Sequence, residues 1–202
     1  MLKKIEKSIF LSKPLIGIVA RKNDNIYKVN ENVVKKIINN GAIPILILPT
    51  NFNDLLNVLN ICDGILMPGG SDIYEYDRFI CKYATENDVP ILGICLGIQI
   101  MEEEYLSKTK TLHQGTNHCI ITKKGSIVNK LVGDSVVNSR HNECITDTSK
   151  YDITARSPDG CIEAIEHKTN KFNVGVQWHP EDLDNDLLFK EFIIACNVNR
   201  RF

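Results

Sequence analysis

The sequence predicts an α/β protein: a parallel sheet with helices on both faces, plus additional short antiparallel strands in the C-terminal half. Three observations predict it. Short apolar runs and amphipathic stretches alternate four times up to residue 95. Within the apolar runs there is little polar alternation, as expected of strands covered on both faces. After Gln99 the runs shorten and turn residues become frequent, which suits antiparallel connections.

Leu15 to Ala20 is the first strand, bounded by Pro14 and by the polar stretch Arg21 to Asn25. Val29, Val33, Val34, Ile37 and Ile38 recur at helical spacing, and Asn39, Asn40 and Gly41 stop that helix. Ile43 to Leu48 reads as a second strand, buried on both faces. A cap at Thr50 or Asn51 opens a helix carrying Leu55, Leu56 and Leu59, and Gly64 to Met67 is the third strand. Phe79, Ile80, Tyr83 and Ala84 mark a helix before Pro90 and the strand that begins at Ile91. One more helix follows that strand, starting just after Cys95. Cys119 to Thr122 and Ser126 to Val128 flank Lys124-Gly125 in the manner of a hairpin. Asp152 to Ala155, Ile162 to Glu166 and Asn173 to Gln177 continue as strands, with Pro158-Asp159-Gly160 as a turn. Leu187, Leu188, Phe192 and Ile193 to Ala195 form a closing helix. No repeat, low-complexity tract or linker interrupts the chain, so residues 1–202 are read as one domain.

Composition narrows the function classes. With 43% apolar and 24% charged residues the chain is ordinary for a soluble globular protein. Its formal charge of −1 and scattered basic residues give no footprint for nucleic acid or an anionic membrane, which leaves small-molecule chemistry. Ser12, Lys13 and Pro14 cut the N-terminal apolar runs, leaving neither a signal-peptide core nor the ~20 apolar residues of a membrane span. A cytoplasmic protein is expected. Seven cysteines, an odd number with no C-x-x-C pair, argue against a disulfide framework and a zinc site. The histidine spacings offer no ligand cluster either, so neither metal nor cofactor is expected, and activity should survive EDTA.

The chemistry concentrates in I-L-G-I-C-L-G-I-Q, Ile91 to Gln99. An apolar run ends in Cys95 with glycines two places before and after it, and residues able to open a helix follow. That is a nucleophile elbow: Gly93 and Gly97 allow the backbone to fold tightly around a strained residue. The new helix would aim its unpaired N–H groups and positive dipole end at the sulfur. Acyl transfer also needs an acid and base. His179 lies in G-V-Q-W-H-P-E just past an apolar strand, and Glu181 is placed to fix its tautomer. His113, His118 and His167 read as surface or satisfied core histidines. Pro68-Gly69-Gly70-Ser71-Asp72 follows the third strand, so the Gly70 and Leu96 N–H groups are the expected oxyanion hole.

These residues match a family. The chain resembles the class I glutamine amidotransferase superfamily, and within it the gamma-glutamyl hydrolase branch. Five blocks carry the resemblance: P-G-G-S-D from Pro68, G-I-C-L-G-I-Q from Gly93, V-N-S-R-H-N from Val137, A-R-S-P-D-G-C-I-E-A from Ala155 and G-V-Q-W-H-P-E from Gly175. It implies a flavodoxin-like fold and attack by Cys95 on a gamma-glutamyl carbonyl. The resulting thioester would be released by water as glutamate. It also implies His179 as acid and base, Glu181 as its orienter, and Gln99 with Ser139, Arg140 and His141 around the glutamyl group.

The chain departs from this pattern at three places. Leu96 resembles ammonia-delivering amidotransferases, where hydrolases of polyamine-pathway amides often carry arginine. The stretch between Asp72 and Pro90 is shorter than in those hydrolases, and Met101 to Thr111 lacks their double glycine. A trimmed, open site is similar to hydrolases that release cytidine diphosphoramidate from gamma-glutamyl-CDP-amidate in capsule synthesis. A phosphorylated leaving group calls for cations, and Arg21, Lys22 and Arg140 are the candidates. The alternatives are a glutaminase subunit feeding ammonia to a separate synthetase, a partner admitted but not favoured, and a non-catalytic binding module.

Overall fold

The apolar runs of the sequence become the strands of one central sheet in the structure, a computed structural model that describes residues 13–200. In chain order the first half contains β1 (Leu15–Val19), β2 (Arg21–Asn23), β3 (Ile26–Lys28), α1 (Glu31–Asn39), β4 (Ile43–Ile47), α2 (Phe52–Ile61), β5 (Gly64–Met67), α3 (Glu75–Glu86), β6 (Ile91–Ile94) and α4 (Leu96–Met101). The second half contains β7 (Leu106–Lys108), β8 (Gln114–Thr122), α5 (Ile127–Leu131), β9 (Ser135–Arg140), β10 (Glu143–Ile145), β11 (Tyr151–Arg156), β12 (Ile162–His167), β13 (Asn173–Val176) and α6 (Leu187–Val198). The N-terminal run that ends at Ser12 lies outside the described residues. No helix among the described residues is long and apolar enough to cross a membrane.

Nine strands make the main sheet in the order β4-β1-β5-β6-β13-β12-β11-β8-β9. Contacts from β4 through β13 are parallel. The pairs from β13 out to β9 are antiparallel. Counted among themselves, the parallel strands run 2-1-3-4-5, the flavodoxin-like order. Ile16, Ile18 and Leu66 pack on one face with Val33 and Ile37 of α1 and Phe189 and Phe192 of α6. On the other face, Ile65 and Met67 meet Leu55 and Leu59 of α2, Ile80 of α3 and Ile98 of α4.

Local chemistry sets the helix starts. Asn51 caps α2 by accepting the Asp54 N–H at 3.0 Å, which settles the choice between Thr50 and Asn51. Asn30 does the same for α1 through the Asn32 N–H.

Three expectations are corrected. Ile43 to Leu48 is not buried on both faces: β4 is the edge strand, and Ile43 and Leu46 are each 44% exposed. Ser126 to Val128 is not the second arm of a hairpin. Ser126 caps α5 by accepting the Asn129 N–H, the Glu166 carboxylate accepts the N–H groups of Ile127 and Val128, and β8 pairs with β9 instead. The polar stretch after the first strand is itself a hairpin, β2 paired with β3 around Asp24 at φ 53°.

Candidate active site

The C-terminal ends of β1, β5, β6 and β13 lie together at one edge of the sheet, where open α/β folds collect their functional loops. Cys95 ends β6 with φ 52° and ψ −102°, a conformation that costs an L-residue energy and persists only when its surroundings impose it. They do. A Cβ on Gly97 would lie 2.2 Å from the Met67 carbonyl oxygen, and one on Gly93 would lie 2.8 Å from Gly97. The Cys95 N–H is tied to the Val176 carbonyl at 2.8 Å. Leu96 opens α4 directly behind the sulfur.

His179 follows β13 and the buried Trp178, the one tryptophan of the sequence. Its Nδ1 lies 2.8 Å from Glu181 Oε1, and the Cys95 side chain is close enough to interact with the ring. Burial opposes the imidazolium, but the interactions with Cys95 and Glu181 outweigh it and raise the His179 pKa to about 10. Asn138 on β9 fixes the histidine backbone, accepting its N–H and donating to its carbonyl, each at 2.9 Å. Asn138 lies inside the V-N-S-R-H-N block, but nothing in that local pattern points to a partner 41 residues away.

Gly69 lies across the pair: a Cβ there would be 3.0 Å from the His179 ring and 3.6 Å from the Cys95 Cβ. Gly70 packs against the Leu96 side chain. Gly70, Cys95, Leu96, Gln99, Arg140 and His141 share one open cleft of about 630 Å3, walled also by Lys108, Gln114, Asn142 and Glu143. The Gln99 amide donates to the Glu143 carbonyl at 2.8 Å, joining elbow helix and wall. Ser139, expected beside the glutamyl group, is fully buried, with its hydroxyl 3.4 Å from His113 Nδ1.

Of the expected phosphate-reading cations, Arg21 is corrected. It is buried and committed internally: Nη1 donates to Asp77 at 2.6 Å, while Nε and Nη2 donate to the Pro68 carbonyl at 3.1 and 2.9 Å. It therefore anchors the Pro68-Gly69-Gly70 loop. Lys22 is exposed on β2 and lines neither the cleft that holds Cys95 nor the one that holds His179 and Glu181. Arg140 lines the large cleft and pairs with Asp182.

A further correction concerns the histidines. Folding brings His113, His118 and His141 around Glu163, contrary to the expectation that no ligand cluster forms. His113 and His118 are five residues apart and would face opposite sides of a regular strand. A register shift between Gln114 and Thr116, at Gly115 with φ 69°, turns both to the same side. Burial, with His113 close by, pushes the His141 imidazole down to about 4, and burial raises the Glu163 carboxyl to about 8.

Residues 23–195 match the family described as "Glutamine amidotransferase class-I". The chain belongs to that family. It is 31% identical to a glutamine amidotransferase-like protein of Lactococcus lactis, over 68% of this chain and 74% of that one. Another of Rickettsia prowazekii is 28% identical, over 91% and 98%. The CTP synthase of Dehalococcoides mccartyi is also 28% identical, but this chain spans only 43% of its length. The glutaminase domain of Trypanosoma brucei CTPS superposes with a TM-score of 0.75 at 17% identity, covering 94% of this chain and 96% of that domain. At that identity the likeness speaks for the fold.

Proposed function

We propose that the protein hydrolyses a gamma-glutamyl amide through a thioester on Cys95. The observation that carries this reading is a strained cysteine at a strand-to-helix turn, beside a histidine that a buried carboxylate holds by Nδ1. In this reading the Cys95 sulfur attacks the amide carbonyl and the oxygen becomes negative between the Gly70 and Leu96 N–H groups. His179 carries the proton that the departing nitrogen takes up as the C–N bond breaks. Glu181 keeps Nδ1 protonated and turned inward, so that Nε2 serves the reaction. His179, now neutral, takes a proton from water, whose oxygen attacks the thioester. Glutamate leaves and the resting pair is restored. The glutamyl group is assigned to the cleft beside Gln99, Arg140 and His141. Trapping a glutamyl adduct on Cys95 by mass spectrometry tests the step directly, and its absence with every gamma-glutamyl compound supplied would reject it.

The substrate reading is a stand-alone hydrolase, specifically of gamma-glutamyl-CDP-amidate, giving glutamate and cytidine diphosphoramidate. An open cleft carrying Lys108 and Arg140 supports it, since a diphosphate is held by charge-assisted hydrogen bonds. The second reading, a glutaminase subunit delivering ammonia to a synthetase, is favoured by the similarity to CTP synthase and by Leu96 behind the nucleophile. Glutamate release by the isolated protein from the phosphoramidate nucleotide, with glutamine turned over poorly, supports the first. An isolated chain that is silent until a synthetase is added supports the second.

A further inference from the structure

The antiparallel half of the sheet carries a second cluster that the thioester chemistry does not use. His118 Nε2 is 3.3 Å from Glu163 Oε1, and His113 Nδ1 and His141 Nε2 are each 3.7 Å from the same oxygen. Glu163 is fully buried, and the His113 and His141 side chains are 3% and 1% exposed. The far side of each ring decides which nitrogen carries a proton. His118 Nδ1 faces the Cys119 carbonyl at 3.2 Å and His141 Nδ1 the Glu143 carbonyl at 3.0 Å. A carbonyl can only accept, so both Nδ1 atoms are protonated, and in the neutral rings both Nε2 atoms present lone pairs to Glu163. His113 Nε2 faces Asp159 Oδ2 at 3.1 Å. That carboxylate already accepts from the Thr111 hydroxyl on the same oxygen and from the Ser157 hydroxyl and Cys161 N–H on the other, so His113 Nε2 is its donor. His113 Nδ1 is therefore an inward acceptor too, with the rotatable Ser139 hydroxyl as a long neighbour.

Three imidazole lone pairs thus converge on one carboxyl group, where a single proton could meet only one of them. Apart from the Cys161 thiol, a weak donor, neither Glu163 oxygen meets a hydrogen-bond donor among the described residues, and His118 Nε2 and His141 Nε2 meet none. Buried acceptors facing one another are costly unless something positive lies between them. The spacing fits a metal. Four ligands at about 2.0 to 2.1 Å around zinc form a tetrahedron with edges of about 3.3 Å. All the candidate ligand atoms lie within 4.8 Å of one another.

We infer that His113, His118, His141 and Glu163 form a closed site for one divalent transition metal of the zinc class. The outer partners are those that metal-bound histidines use: a carboxylate for His113 and backbone carbonyls for the other two. Four protein ligands make the site structural. It joins β8, the end of β9 and β12, and so braces the wall in which Arg140, His141, Asn142 and Glu143 face Cys95.

The test is metal binding by the full chain, independent of turnover. Protein produced in zinc-supplemented cells should carry about one zinc per chain, and chelation should lower its Tm until zinc is returned. Cobalt in its place should give the visible d–d bands of tetrahedral nitrogen and oxygen ligands, with no thiolate charge-transfer band. Glu163→Gln and His118→Ala should lose the metal. Cys95→Ser should keep it, which separates this site from the His179 pair. Asp159→Asn should weaken binding by about 10- to 100-fold, and this reads out the site even if the ligand variants fail to fold. Metal-free protein whose Tm ignores zinc, cobalt, manganese and ferrous iron would overturn the inference. So would metal retained in a folded Glu163→Gln, metal lost in Cys95→Ser, or a cobalt spectrum with a thiolate band.

Discussion

Cys95 carries the strain of the elbow and its proposed chemistry, and substitutions there separate the two. Cys95→Ala should abolish glutamate release with the fold intact, as read by far-UV circular dichroism; retained turnover would sink the thioester. Cys95→Gly should also be inactive yet melt a few degrees above Cys95→Ala. At φ 52° glycine escapes a strain of about 1 to 3 kcal/mol and loses part of that gain to backbone entropy. His179→Ala should be as severe as Cys95→Ala in kcat and Glu181→Gln milder, because the carboxylate only orients and stabilises the ring. His179 also predicts a pH effect on stability. Its folded pKa of about 10 lies above the ordinary 6.5, so its stabilisation is full below 6.5 and disappears as pH rises through 10. The Tm gap between the wild type and His179→Gln should therefore close between pH 7 and pH 10.5, and a gap that stays constant would contradict the ion pair.

The elements that hold these residues differ in how plainly the sequence announces them. The elbow was legible because its determinants are local: an apolar strand, two glycines and a helix start lie within Ile91 to Gln99. Arg21 was misread because its partner, Asp77, is 56 residues away at the start of α3. Its proper test belongs to the β5 loop. Removing Arg21 strands a buried carboxylate and frees the Pro68 carbonyl, so Arg21→Ala should cost about 3 to 5 kcal/mol of stability and slow every substrate alike. Lys108→Ala and Arg140→Ala should instead discriminate. Losing one hydrogen bond to a charged group, roughly 1.5 to 3 kcal/mol, should lower kcat/KM by ~10- to ~150-fold for the phosphoramidate nucleotide alone. Equal losses on a neutral gamma-glutamyl amide would remove these residues from leaving-group recognition. The histidine cluster was illegible for a third reason: it needs a bulge at Gly115 and three strands, and strand spacing counted along the chain erases the first and never sees the second.

Across the whole molecule, the parallel half supplies the proposed nucleophile and the antiparallel half supplies the walls. β6 and β13 are hydrogen-bonded neighbours, so Cys95 and His179 are brought together by the seam of the sheet. Asn138 reaches that seam from β9, the far edge strand, by bonding the His179 backbone on both sides. The two halves should therefore unfold together. Asn138→Ala should lower the Tm and reduce kcat more than it raises KM, since it leaves the cleft lining in place but frees the acid-base residue. A pure KM effect would contradict that role.

Trp178 gives this arrangement an optical consequence. The sequence has a single indole, it is 1% exposed, and it adjoins His179 in the chain. Tryptophan emission is therefore a one-site signal from the candidate active site, free of averaging over other indoles. A protonated imidazole is an efficient quencher, so the proton's departure from His179 and its return during a turnover should appear as a rise and fall in fluorescence. Stopped-flow recording could then time acylation and deacylation separately in the unlabelled wild-type protein.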